Sequence, residues 1–168
     1  VLKVGEFWAI PIMLRLALIE NLRRVAVRVV VGMADRELAR HWAEQMLHAA
    51  EHNPRSLIIV VADMARTNPS LSNAFVAEFA RTLHGQGSVM DIPLSWVEQR
   101  LSELGRTTHL VVQHEGQQQA GNQVSVGASI GSLRFLGAMD WQEFVEEANP
   151  VDRELQRETI AVRAQAGD

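Results

Sequence analysis

Residues 7–31 read FWAIPIMLRLALIENLRRVAVRVVV, and this stretch decides the class of fold. Its apolar residues are so dense that a helix would be apolar over most of its surface, which is typical of the centre of a bundle. Glu20 and Arg24 lie four residues apart, in the order that favours an ion pair within a helix. The β-branched run 27–31 also suits a strand, but its arginine-, leucine- and alanine-rich flanks favour a helix. Pro11 predicts that the helix begins near residue 11 or is kinked there.

Asparagines, prolines and glycines divide the rest of the chain into further predicted helices. An asparagine before a proline puts a good N-cap before a residue suited to the first helical turn. Three such pairs predict helix starts: Asn53-Pro54, Asn68-Pro69 and Asn149-Pro150. Another start is predicted at 91–93, and Asp140 with Glu143 has the spacing of a capping box before a further helix. Three features predict interruptions: Gly32, Gly105 and the loop 84–88.

Residues 117–137 fit two kinds of structure. The alternation over 124–126 suggests a strand, whereas the apolar spacing from Ile130 onward suggests a helix with a small-residue face. Gly127 and Gly131, four residues apart, would let two helices approach closely. We favour a helix here, so the chain is predicted to be all-α, a compact multi-helix bundle of about seven or eight helices.

Composition limits the classes of function. The 168 residues contain no cysteine, which excludes disulfides, thiolate metal sites and cysteine nucleophiles. The net charge of -4 gives no general attraction to nucleic acid, and we expect no such partner. The length suits one domain, which we place at 1–160 with a frayed tail at 161–168.

The chain lacks a recognisable signal or membrane span. Its longest uncharged apolar run, 7–14, is far shorter than the roughly 20 residues that cross a bilayer, so we expect a soluble segment. The chain begins at Val1 and enters an apolar stretch at once. We interpret it as part of a longer protein, in which apolar surface near Phe7 and Trp8 is covered.

One motif suggests metal chemistry. Residues 48–52 read HAAEH, and on a helix this spacing puts two imidazoles on one face, as zinc requires, with a glutamate beside them as general base. The motif lies at a predicted helix end, where the helix dipole favours histidines, and nothing nearby supplies a third ligand. We therefore predict no metal, cofactor or catalytic residue, and we keep His48, Glu51 and His52 as the candidates for a zinc hydrolase, the function that we favour least.

The aromatic residues suggest a binding surface. Trp8, Trp42, Trp96 and Trp141 all lie in apolar helical settings, where an indole is typical of the core, although indole faces also stack on sugars. Arg134 lies between two apolar residues and suits an interface anchor or a side chain that extends to solvent. The candidate contacts to a glycan or an interface are Trp8, Trp96, Arg134 and Trp141.

Three stretches resemble one family. They are GEFWAIPIMLRLALIENLRR at 5–24, PLSWVEQRL at 93–101, and QVSVG with IGSLRFLGAMDW at 123–127 and 130–141. Together they resemble the N-terminal region of the cyclic β-1,2-glucan synthases, which are large enzymes of the bacterial inner membrane. The likeness extends over nearly the whole chain in the same order.

The resemblance implies a parent enzyme and a place within it. The parent's membrane-embedded glycosyltransferase would extend a β-1,2-glucan from UDP-glucose, with a divalent metal, on the cytoplasmic side. This segment would lie upstream of the transferase, and its partners would be the other domains and the membrane segment of the same polypeptide, with β-glucan as a further possible ligand. The chain has neither Asp-x-Asp nor Gln-x-x-Arg-Trp, so no catalytic or UDP-glucose-binding residue carries over. We expect a non-catalytic accessory or docking domain, with glycan or primer binding as the alternative.

Overall fold

The computed structural model describes the backbone of residues 4–148 and the side chains of residues 8–145, and its fold is all-α. Over these residues it contains six α-helices, not the seven or eight predicted, and no strand. The helices are α1 (Val4–His52), α2 (Leu57–Thr67), α3 (Asn73–Leu83), α4 (Asp91–Glu103), α5 (Thr108–Ala138) and α6 (Trp141–Ala148). Short 3₁₀ helices at Pro54–Ser56 and Ser88–Met90 precede α2 and α4. The helix start predicted at Asn149-Pro150 lies outside the described residues.

The long helix α1 corrects two predictions. The helix already includes Val4, so the start predicted near Pro11 is wrong, and Pro11 lies within the helix as a buried residue. The kink at Pro11 stays a prediction. Gly32 does not interrupt α1 either, because a single helical glycine costs only about 1 kcal/mol relative to alanine and packing of the flanking turns can offset that cost. On either side of it, Val25 and Ala39 are buried.

Local capping patterns predicted some helix boundaries and misplaced one. Asn53 caps the 3₁₀ turn before α2 by accepting a hydrogen bond from the backbone N–H of Arg55, as predicted. Asn68 instead ends α2, with a left-handed φ of 45° that asparagine tolerates better than most residues. The true cap of α3 is Ser72, whose hydroxyl accepts from the backbone N–H of Phe75.

The remaining boundaries agree with the sequence patterns. The helix predicted from 91–93 is α4, and it ends just before Gly105, whose φ of 68° lies in the left-handed region that favours glycine. Asp140 caps α6, because its Oδ1 accepts from the backbone N–H groups of Gln142 and Glu143. Residues 84–88 form a connection that ends in the first residue of a 3₁₀ turn.

The ambiguous stretch 117–137 is helical throughout, within α5, so the strand interpretation is wrong. The close approach predicted at Gly127 and Gly131 is also wrong. Among the described residues, a Cβ built at either position would meet no neighbouring atom within 4 Å.

The helices divide into two compact units. Unit 1 comprises the chain up to Arg24 and from Ser125 onward, and unit 2 comprises Val25–Val124. The single domain over 1–160 stays a prediction, since residues 149–160 and the tail 161–168 lie outside the described residues.

The apolar core belongs to unit 2. Its fully buried members come from α1 to α5 and from the turn before α4: Ala39, Ala43, Met46, Leu57, Met64, Phe75, Val76, Phe79, Leu83, Met90, Val97, Leu101 and Val111. Phe75 and Phe79 stack on successive turns of α3, with ring centroids 5.7 Å apart. α1 contributes small residues four apart, Ala39 and Ala43, so its backbone can lie close to this core.

Buried carboxylates connect α1 to other helices of unit 2. Glu115 on α5 accepts a 2.8 Å hydrogen bond from Arg36, and Glu78 on α3 accepts from both Arg40 and Arg81. The Glu78 side chain is 8% exposed, so its negative charge depends on these donors. The hydrogen bond from Arg81, with a smaller contribution from Arg40, lowers the pKa of Glu78.

We expect the stabilising effect of Glu78 to depend on pH. Because its pKa is lowered on folding, the ionised carboxylate stabilises the fold above the ordinary glutamate value of about 4.3, and this contribution is lost as the pH falls through the lower folded-state pKa. At pH 7, Glu78→Gln should lower the free energy of unfolding by about 1–2 kcal/mol in urea titrations.

The difference in the free energy of unfolding between the native chain and the Glu78→Gln variant should become steadily smaller below about pH 4.3. Glu98→Gln, which changes an exposed carboxylate on α4, serves as the control and should have little effect at any pH. If Glu78→Gln lowered the free energy of unfolding by the same amount at pH 7 and at pH 3, the stabilising role of the ionised carboxylate would be contradicted.

Candidate functional site

In unit 1, polar side chains fix one face of α1 against α5. The amide nitrogen Nδ2 of Asn21 donates to the hydroxyl oxygens of Ser125 and Ser129, at 3.0 and 2.9 Å. One turn and a half earlier, Arg15 donates to the backbone carbonyl of Leu136 at 2.9 Å. Ser129 is buried, so the contacts of Asn21 define the inward face of α1 in this unit, and the long Arg15 side chain reaches the buried Leu136 from the flank of that face.

The opposite face of α1 in unit 1 is apolar and exposed. With about 3.6 residues per turn, positions nine residues apart lie on opposite sides of a helix, so Ile12 points away when Asn21 points inward. We call the exposed surface the outer face of α1, and it consists of Trp8, Ile12, Met13, Leu16 and Ile19, with exposed fractions of 46–65%. The prediction that residues 7–31 lie at the centre of a bundle is therefore wrong, because large apolar side chains of this stretch face solvent.

A charged cluster borders the outer face on its C-terminal side. Glu20, whose side chain is 40% exposed, accepts hydrogen bonds from Arg23 and Arg24, at 2.7 and 2.9 Å, which confirms the predicted Glu20–Arg24 pair and adds Arg23 to it. These hydrogen bonds, first from Arg23 and then from Arg24, lower the pKa of Glu20 to about 2. The carboxylate is thus ionised across the physiological pH range, and the apolar face ends at a permanently charged group.

The candidate glycan or interface residues are divided between the two units. Trp8 is half exposed and Arg134 is exposed, and both belong to unit 1. Trp141, also in unit 1, is half-buried, and its indole N–H donates to the Leu136 carbonyl at 2.9 Å. Trp96 lies in unit 2 and packs against the core. The core location predicted for the indoles holds for Trp42 and Trp96, which are partly buried and pack against the core, and fails for Trp8.

The predicted zinc motif lies at the end of α1, in unit 2. The imidazoles of His48 and His52 stack with centroids 4.1 Å apart, and Nδ1 of His52 lies 2.9 Å from the His48 carbonyl, to which it donates. Both histidines and Glu51 are exposed. Among residues 8–145 no group of three or more histidine, aspartate or glutamate side chains is arranged to hold one ion.

A pocket beside the start of α5, between the first residue of α3 and the α4–α5 connection, was not among the predicted sites. Its walls are formed by Asn73, Gly105, Arg106, Leu110, Val111 and His114, all in unit 2. One sequence signal pointed to the place: Gly105 predicted a helix end, and the arginine after it precedes a threonine suited to cap the next helix. No sequence pattern could have linked Asn73 to this pocket, because Asn73 belongs to α3 and lies more than thirty residues before the other lining residues.

Comparison with known proteins confirms the resemblance stated above. Over 154 residues, 92% of this chain, the sequence is 27% identical to the cyclic beta-(1,2)-glucan synthase NdvB of Rhizobium meliloti (strain 1021). The chain spans about 5% of the length of that protein. No protein-family model matches the chain, and no solved structure does. Within the part of the chain that the structure describes, none of the helices combines the length and apolar character needed to cross a bilayer.

The histidine pair at the end of α1 can be tested directly with zinc. Because the described residues offer two imidazoles and no third clustered ligand, we expect calorimetric titration of the chain to show no zinc binding tighter than about 10 μM. Micromolar or tighter binding that His48→Ala abolishes would overturn this expectation. His41→Ala, an exposed histidine earlier on α1, is the matched control.

Proposed function

We propose that this chain is a non-catalytic accessory domain of a cyclic β-1,2-glucan synthase and that it docks onto other parts of the same polypeptide. The observation that carries the proposal is the outer face of α1, where five of the six large apolar side chains that α1 exposes among residues 8–24 lie together. Large exposed apolar patches on a protein surface mark sites of interaction with another protein, a membrane or a ligand.

The energetics of the outer face suit an intramolecular contact. Fully burying one large apolar side chain is worth about 1.5–3 kcal/mol, and these side chains are already about half covered. Covering all five would therefore stabilise a docked arrangement by roughly 5 kcal/mol, before the cost of ordering the interface. A partner in the same polypeptide is present at a high effective concentration, so a stabilisation of this size is enough to keep it docked.

The similarity to NdvB supplies the rest of the proposal. The parent would be a membrane glycosyltransferase that builds β-1,2-glucan from UDP-glucose, with a divalent metal, and this domain would act on the cytoplasmic side of the bacterial inner membrane. Its partners would be the transferase domain and the membrane segment. The sequence contains neither Asp-x-Asp nor Gln-x-x-Arg-Trp, which is consistent with an accessory role for the domain.

Charge substitution on the outer face tests the docking proposal. In a full-length synthase that carries this chain, Ile12→Asp combined with Leu16→Asp should lower β-1,2-glucan formation by isolated membranes about tenfold, because burying either carboxylate in an apolar contact costs more than 1.4 kcal/mol. Product formed from labelled UDP-glucose is the measurement.

A matched control separates docking from folding. Ile58 and Ile59 on α2 are 63% and 62% exposed, close to the 65% and 60% of Ile12 and Leu16, and their double aspartate variant should retain activity. In the isolated chain both double variants should keep a Tm within about 3 °C of the native value, since exposed positions contribute little to stability. Full activity of the Ile12/Leu16 variant would contradict the proposal.

Glycan binding is the second candidate function, and Trp8 is the observation that favours it. Its indole is 46% exposed on a helix face, where it could stack on a sugar ring. Adding β-1,2-glucan oligomers to the ¹⁵N-labelled chain should then shift resonances around Trp8 and Arg134 in a saturable manner, and Trp8→Leu should remove the effect. Absence of shifts at about 10 mM oligomer, a weak-binding limit, would leave docking as the function.

A further inference from the structure

The pocket at the start of α5 has the size of a small-molecule site. It is an open pocket with a volume of about 320 Å³, and it is lined by polar and apolar groups from the start of α3, the α4–α5 connection and the first two turns of α5. Ligand pockets in proteins span roughly 300–1,000 Å³, so this one suits a compact ligand. Nothing in the proposed docking function uses it.

Arg106 brings an uncompensated positive charge to this pocket. The side chain is half-buried and is held by neutral acceptors: Nη1 donates to the Leu71 carbonyl at 3.0 Å, and Nη2 donates to Oδ1 of Asn73. Among residues 8–145 no carboxylate lies within ion-pair distance of it. This distinguishes Arg106 from Arg36, which pairs with Glu115 in the same unit.

A fixed guanidinium of this kind suits an oxyanion. The two neutral acceptors hold its plane in place, and a guanidinium has five N–H donors, so donors remain for a ligand. Ordering a long side chain is a main cost of binding, and here that cost is already met within the fold.

His114 and the start of α5 add to the attraction for an anion. Leu110 and His114 are four residues apart on α5 and therefore share the face that lines the pocket. The pocket also lies at the N-terminus of this 31-residue helix, where the aligned peptide dipoles give a partial positive charge. Leu110 and the buried Val111 supply an apolar wall beside these groups.

We propose that this pocket binds the phosphate group of a small molecule, with Arg106 and His114 as the groups that contact it. Phosphate offers several acceptor oxygens and more than one negative charge. A phosphate ligand therefore matches the guanidinium and the imidazole better than a carboxylate ligand does. The ligand is either free phosphate or a phosphate monoester whose short organic part lies on Leu110 and Val111. The inference is independent of the parent enzyme.

The experiment is an NMR titration of the ¹⁵N-labelled chain with inorganic phosphate and with phenyl phosphate, at constant ionic strength set with sodium chloride. Saturable shifts of Gly105, Arg106 and Leu110 with a Kd of about 1 mM or tighter would support the proposal. Binding of phenyl phosphate at least about fivefold tighter would identify a monoester as the ligand, and equal affinity would identify free phosphate.

Variants distinguish a built site from general attraction to a cation. His114→Ala should weaken binding about three- to tenfold without affecting the fold, because His114 is exposed. His109→Ala changes an exposed histidine five residues earlier on α5 that does not line the pocket, and it should leave the Kd unchanged. Arg106→Gln should abolish binding, with circular dichroism to check that helix content is kept.

Two outcomes would overturn the proposal. One is the absence of saturable shifts at about 50 mM phosphate, well beyond the expected Kd. The other is binding that His114→Ala and His109→Ala change equally, which would mean that the anion does not occupy this pocket. The comparison of His114→Ala with His109→Ala tests whether phosphate binds in this pocket even if the Arg106→Gln variant fails to fold.

Discussion

The pair of hydrogen bonds from Asn21 to Ser125 and Ser129 sets the orientation of α1 in unit 1. The two hydroxyls lie four residues apart on α5, and Ser129 is 3% exposed, so the amide bridges them away from solvent. Rotating α1 to bury its apolar side instead would leave the amide and the buried hydroxyl unpaired, at about 1–3 kcal/mol for each unsatisfied group. A polar contact thereby favours the orientation in which the outer face of α1 remains exposed, although the composition of this stretch is typical of a core.

The class of fold and several boundaries follow from local chemistry, whereas burial does not. Helical periodicity identified α5 across 117–137, and Asp140 has the capping geometry that its spacing predicted. Asn68 was misassigned because asparagine both caps a helix start and adopts the left-handed conformation at a helix end, and only the neighbouring turns decide between them. The exposure of residues 12–19 depends on a partner more than a hundred positions away in the chain, which no local pattern reveals.

The arginines show how far composition can be interpreted. The chain has 15 arginines and one lysine, a bias that by itself suggests either anion binding or ordinary helix surfaces. The structure separates these roles by partner: Arg36 and Arg40 pair with buried glutamates on other helices of unit 2, whereas Arg106 is held by neutral oxygens beside a pocket. The sequence alone does not show which arginines pair with a carboxylate, because their partners lie on helices that are distant in the chain. The candidate site was accordingly the least predictable part of the molecule.

The outer face and the pocket belong to different units and rest on different physical effects. Docking through the outer face depends on removing apolar area from water, so the screening of charges by salt does not weaken it, whereas a single buried charge disrupts it. Anion binding near Arg106 depends on charge and weakens as ionic strength rises. The two surfaces share no residue. If both functions hold, unit 1 is the attachment of this domain to its parent, and unit 2, with its apolar core and the pocket beside Arg106, is the part able to respond to a ligand.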